Sequence, residues 1–143
     1  MTDPIVVEFS VSATPDRAFR VWTEECARWW PTSHCMSGQP GFAVVFEPRS
    51  GGRIYEVGID GTQHDWGKVV VWDPPGRLRY SWHIFLDPDR ATTVDVTFVA
   101  KQGQTLVRLE NSGFEVFGEG AGERAGRVGS AWTAITGEYT TAI

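Results

Sequence analysis

Apolar and polar residues alternate along most of this chain, and turn residues interrupt the alternation at regular intervals. Ile5, Val7, Phe9 and Val11 alternate with Val6, Glu8 and Ser10, the pattern of a strand buried on one face. Thr14-Pro15-Asp16 then starts a helix: Thr14 as N-cap, Pro15 at the first helical position, Asp16 at the positive end of the dipole. Phe19, Trp22 and Cys26 share a face at spacings of three and four. Trp29-Trp30-Pro31 ends this helical pair, because the residue before a proline is pushed out of the helical conformation. Two adjacent tryptophans are not expected to face inward together, so one of Trp29 and Trp30 should border an entrance or solvent.

After a loop over 32–41 the period returns to two. Val44 and Phe46 lead to Pro48, and Ser50-Gly51-Gly52 forms a hairpin turn into a strand from Arg53 to about Gly58. Asp60-Gly61 turns into a strand from Trp66 to Trp72, and Asp73-Pro74-Pro75-Gly76 turns again. Leu78, Tyr80, Trp82 and Ile84 then alternate with Arg79, Ser81, His83 and Phe85. By that alternation Trp82 goes inward and His83 goes to the surface or rim. Val94, Val96 and Phe98 mark the next strand, and Val107, Leu109 and Asn111 the one after it. A glycine-rich stretch over 112–122 carries Phe114 and Phe117. The period then changes to that of a helix, with Ala125, Val128, Trp132, Ile135 and Tyr139 in one stripe. Gly122, Gly126 and Gly129 flank the stripe and suggest close approach to a neighbour.

Strands in a run with segregated helices give an α+β fold. The expected architecture is a curved antiparallel sheet of six to seven strands around one long C-terminal helix, with two short helices after strand 1. All 143 residues are read as a single domain. A sheet gripping one helix leaves a cavity between them, where a ligand would sit.

Composition narrows the function. The net charge of −5 argues against nucleic acid and anionic membrane surfaces. The absence of a long apolar run argues against integral membrane association, and MTDPIVVEF lacks the features of a secretory signal. A cytoplasmic location is therefore expected. There Cys26 and Cys35 are expected as free thiols. The three histidines, His34, His64 and His83, show no metal-ligand spacing with the two cysteines, so neither a metal nor a cofactor is expected. His34-Cys35 lacks an orienting third group for nucleophilic chemistry, and no catalytic residue is assigned. The glycines at 118–122 do not fit a dinucleotide fingerprint, and Glu119 and Glu123 would repel phosphate.

Several short motifs occur in order along the chain. They are Val11-Ser12-Ala13-Thr14-Pro15 with Ala18-Phe19 and Trp22; Phe46-Glu47-Pro48-Arg49 with Gly51-Gly52-Arg53; Glu56; Asp60-Gly61; Trp66-Gly67-Lys68-Val69; Trp72-Asp73-Pro74-Pro75; Leu78 with Ser81-Trp82-His83; and Asn111-Ser112-Gly113-Phe114. In this the chain resembles the START/SRPBCC superfamily, the helix-grip fold shared with the birch-pollen allergen. Within it the chain is similar to bacterial homologues of the activator of the heat-shock-protein-90 ATPase. Asn111 stands where the family often has His, and Ala131-Trp132 where it often has Gly-Trp. The resemblance implies a fold and a pocket but no particular reaction, since the superfamily includes hydrophobic-ligand carriers, hormone receptors, cyclases and ring-hydroxylase subunits. The eukaryotic co-chaperones behind the family name have a further N-terminal domain, for which 143 residues leave no room.

The leading expectation is binding of a hydrophobic or aromatic small molecule, a lipid or metabolite, by a monomer or homodimer. Trp30, Glu56, Trp66, Trp82, Phe114 and Trp132 are the expected cavity wall or mouth. The tryptophans supply apolar area and Glu56 a single polar anchor. An inward Glu56 would be raised in pKa unless a cation paired with it, which makes it the candidate base of a cavity enzyme. That enzyme is one alternative; a co-chaperone-like contact with a chaperone is the other.

Overall fold

Turn residues cut the alternating stretches into seven strands that pair into one antiparallel sheet. The computed structural model describes residues 3–143; Met1 and Thr2, which begin the MTDPIVVEF stretch, lie outside the described residues. The strands are β1 (Ile5–Val11), β2 (Ala43–Phe46), β3 (Arg53–Val57), β4 (Gln63–Asp73), β5 (Arg77–Trp82), β6 (Thr92–Lys101) and β7 (Gln104–Ser112). Their order across the sheet is β1-β7-β6-β5-β4-β3-β2. Helices α1 (Pro15–Glu24) and α2 (Cys26–Trp29) carry the chain from one edge to the other. The long α3 (Ala121–Ala142) packs on α2, β1 and the 3-10 turn at Phe114–Phe117. This is the α+β helix-grip arrangement.

Local chemistry accounts for the elements. The Thr14 hydroxyl caps α1 by accepting the Arg17 N–H at 3.2 Å, and Pro15 opens the helix. Phe19 and Trp22 are buried, and the Tyr139 hydroxyl of α3 donates to the Ala18 carbonyl at 2.8 Å, tying the two helices together. Two bulges interrupt β4. Ile54 pairs with Gly67 and Tyr55 with Asp65, which leaves Trp66 as an extra residue; Val70 is the extra residue against β5. Bulges bend and twist a strand, which suits a sheet that must curve around a helix. At the first bulge Trp66 and Gly67 are both buried, and a Cβ on Gly67 would sit 1.9 Å from the Ser81 carbonyl oxygen. Only glycine fits there.

Three expectations need correction. Trp29 and Trp30 are both buried, with ring centroids 5.8 Å apart. Trp29 is the last helical residue and Trp30 is already extended (φ −68°, ψ 124°), so the helical angle no longer separates neighbouring side chains. Each indole N–H finds a carbonyl, Trp29 on Val21 and Trp30 on His34. His83 is buried rather than at the surface. β5 stops at Trp82, and the His83 N–H bonds to the Trp66 carbonyl as the chain turns, so alternation no longer sets its direction. Among the described residues the glycines of α3 mark no close approach: none of these lies within 4 Å of a Cβ on Gly122 or Gly126, and Gly129 would meet Ile5 at an ordinary 3.8 Å.

Most of the aromatic density forms core. Trp22, Trp29, Trp30, Trp66, Trp82 and Trp132 make a continuous cluster in which Trp30 lies 4.8 Å from Trp66, 5.7 Å from Trp82 and 5.9 Å from Trp132. Trp72, the seventh, packs edge-on against Phe19.

Candidate functional site

At one end of this cluster the packing stops short and leaves a cavity of about 210 Å³. Trp82 of β5, Thr92 of β6 and Asn111 of β7 form its sheet wall. Val128, Ala131, Trp132 and Ile135 of α3 face them. Trp30 and His34 close one side, and Phe114 and Phe117 of the 3-10 turn close another. The turn Ile84–Leu86 borders the mouth, where Phe85 is 58% exposed and held at φ 63°, in the left-handed region unfavourable for a bulky residue. Arg124 completes the lining from the first turn of α3.

The cavity is mostly apolar, and its sheet-side polar groups are spoken for. Asn111 is fully buried; its amide donates to the Thr92 hydroxyl and the Thr93 carbonyl, both at 2.9 Å, and its carbonyl accepts the Trp132 indole N–H at 3.0 Å. The residue therefore pins α3 to the sheet at the cavity wall. Among the described residues no buried side-chain nitrogen or oxygen lacks a hydrogen-bond partner. His34 holds the Ser33 hydroxyl at 3.0 Å through Nδ1, and the Cys35 thiol donates to the Thr32 carbonyl at 3.2 Å, so the neighbouring His and Cys engage different partners. Burial pushes the Cys26 thiol up, which disfavours the reactive thiolate. Among the described residues no group of three or more His, Cys, Asp or Glu is placed to hold a metal ion. No helix there is long and apolar enough to cross a membrane.

Of the six residues expected at the cavity, Trp30, Trp82, Phe114 and Trp132 line it. Glu56 and Trp66 do not. Glu56 does point inward from β3 and is fully buried, but it faces the loop that follows α2. Its carboxylate accepts the Met36 N–H at 2.6 Å, the Ser37 N–H at 2.9 Å and the Trp66 indole N–H at 3.1 Å. Burial works against the charge, yet the Ser37 hydroxyl and amide, the Met36 amide and the indole outweigh it and hold the carboxyl below its ordinary value. Among the described residues no cation pairs with it; oriented N–H groups take that part. The expected raised pKa is thus reversed, and with it the role of Glu56 as cavity anchor and base.

The remaining lining residues lie outside the six expected at the cavity, although Val128 and Ile135 belong to the α3 stripe and Ile84 follows Trp82 in the alternation. Arg124, Val128, Ala131 and Ile135 recur at spacings of four, three and four, so the signal was an arginine heading an apolar stripe one position round from Ala125. Phe85 and Leu86 carry no such signal, because their direction depends on where β5 stops.

Residues 12–138 match the family model described as Activator of Hsp90 ATPase homolog 1-like protein. The chain belongs to this family. With it comes membership of the START/SRPBCC superfamily expected from the motifs. Comparison with curated protein sequences gave no match. Among solved structures, the chain is similar to an anthrahydroquino-gamma-pyrone synthase, Txn09, at 30% identity, covering 99% of this chain and 97% of that one with a TM-score of 0.67. It is also similar to protein MLL2253 from Mesorhizobium loti at 21% identity, covering 96% and 94% with a TM-score of 0.69. The Aha1 dimer from Colwellia psychrerythraea aligns at 15% identity over 97% and 94%, with a TM-score of 0.71. At these lower identities the last two speak to the fold alone.

Proposed function

We propose that residues 1–143 act as one domain that binds an apolar or aromatic small molecule, a lipid or metabolite, between the sheet and α3. The observation that carries this reading is the cavity of about 210 Å³, apolar on nearly every wall. A dry cavity of about 150 Å³ holds benzene, so one or two fused rings suit this volume. A larger polycycle would project through the mouth beside Phe85. The 30% identity to a synthase named for an anthrahydroquino-gamma-pyrone supports an aromatic ligand. The test is tryptophan fluorescence quenching by a panel of fatty acids and aromatic metabolites, run on the wild type and on Ala131→Phe. The larger side chain fills the cavity from α3 and is expected to weaken binding at least tenfold while leaving the melting temperature unchanged or raised. Equal quenching of both proteins would remove the reading.

The same resemblance favours a second reading, a reaction inside this cavity. Besides Arg124, His34 is the one titratable lining residue, and His34→Gln should then bind the panel but lose turnover. The family name also suggests a chaperone partner, and the Aha1 dimer a homodimer. Stimulation of the bacterial chaperone's ATPase, together with the elution volume on a sizing column, decides both.

A further inference from the structure

Arg124 carries the one guanidinium among the cavity-lining residues. It forms none of the ion pairs found among the described residues, which engage Arg20, Arg28, Arg49, Arg53, Arg77, Arg79 and Arg108 instead. Glu119 and Glu123, the acids nearest to it in sequence, are exposed and do not line the cavity. The guanidinium is half-buried over the face of Phe117, 4.5 Å from the ring centroid. That stacking fixes its position, and no acceptor among the described residues takes its N–H groups. The cavity therefore combines apolar walls with one positioned, unneutralised cation in a protein of net charge −5.

Resting on the binding function proposed above, we infer that the ligand is an apolar or aromatic acid, and that Arg124 receives its carboxylate or other anionic group. The walls take up the ring system or hydrocarbon, and the guanidinium sets which end faces the mouth of the cavity. Charge-assisted pairing away from bulk water is stronger than a neutral hydrogen bond, so the acid is selected over its neutral isostere.

The test uses a matched pair of bicyclic probes at pH 7, 2-naphthoate and 2-naphthamide, titrated into nitrogen-15-labelled protein. The Trp30 and Trp132 indole N–H signals are the readout. The wild type is expected to bind the acid about tenfold more tightly than the amide. Arg124→Gln should bring the two to parity by weakening only the acid. Arg127→Gln, an equal charge change at an exposed position of the same helix, should keep the preference. Equal binding of both probes by the wild type would overturn the inference and leave the cavity reading standing, as would a preference that survives in Arg124→Gln. Binding of neither probe would remove the cavity reading itself, and this inference with it.

Discussion

The corner around Glu56 and the cavity beside Arg124 each bring one charged group to the inside of the sheet, and they solve the problem in opposite ways. Glu56 is fully buried, and its carboxylate oxygens accept three N–H groups supplied by the protein. Arg124 is half-buried, leans on an aromatic face and has no carboxylate partner among the described residues. A charge whose partners are all internal serves the fold; a charge whose partner is lacking beside an apolar cavity is available to a ligand. The two regions share the loop after α2. Glu56 anchors it at Met36 and Ser37, and the same loop delivers Trp30 and His34 to the cavity wall.

This contrast can be broken by substitution. Glu56→Ala strands the buried Trp66 indole N–H and the part-buried Met36 and Ser37 amides, and should lower stability by about 3 kcal/mol in a urea titration. Among molecules that remain folded, affinity for an aromatic probe should fall far less than in Ala131→Phe. If affinity collapses while stability holds, the assignments of the two regions are reversed. Asn111→Ala comes next, since it orphans the Trp132 indole N–H and takes away the amide that donates to the Thr92 hydroxyl and the Thr93 carbonyl at the cavity wall. A loss of about 2 kcal/mol is expected.

The pH dependence sharpens the same point. The native pKa of Glu56 lies below its unfolded value, so its contribution is fully present above the ordinary carboxylate range. It is lost as pH falls from there through the lowered native value. Thermal melts of wild type and Glu56→Gln should therefore differ by a constant amount near neutrality and converge in acid. A gap that widens on acidification would mean that the carboxyl is protonated in the native state. The smallest effect belongs to Phe85→Gly. Releasing the left-handed backbone should raise stability by about 1 kcal/mol, while loss of the ring at the mouth weakens binding by a few-fold.

The sheet and α3 were legible in the sequence because alternation, turn residues and a 3.6-residue stripe all agreed. The two bulges of β4 were not, since an extra residue such as Trp66 or Val70 leaves the composition of a strand unchanged. The direction of Glu56 was ambiguous for a local reason. Ile54 shares its face, whereas Tyr55 and Val57, equally good strand residues, occupy the other. The three donors that make its burial tolerable come from the 36–37 loop and the bulged Trp66, neither of which leaves a mark in the local pattern. Four aromatic cavity residues could be read from their abundance on strands and helix. The arginine at the head of the α3 stripe was hidden by its charge, which reads as a solvent-facing position until the helix is placed.

Ligand binding between the sheet and α3 is the core of the proposed function. Its most direct test is a chemical-shift map of the nitrogen-15-labelled protein during titration with 2-naphthol. Shifts are expected at the Trp30, Trp82 and Trp132 indoles and at the Phe114 and Ala131 amides, with Trp29 and Val57 unmoved. Shifts confined to the second, more open depression of about 330 Å³ beside Met36, Ile59 and His64 would contradict it.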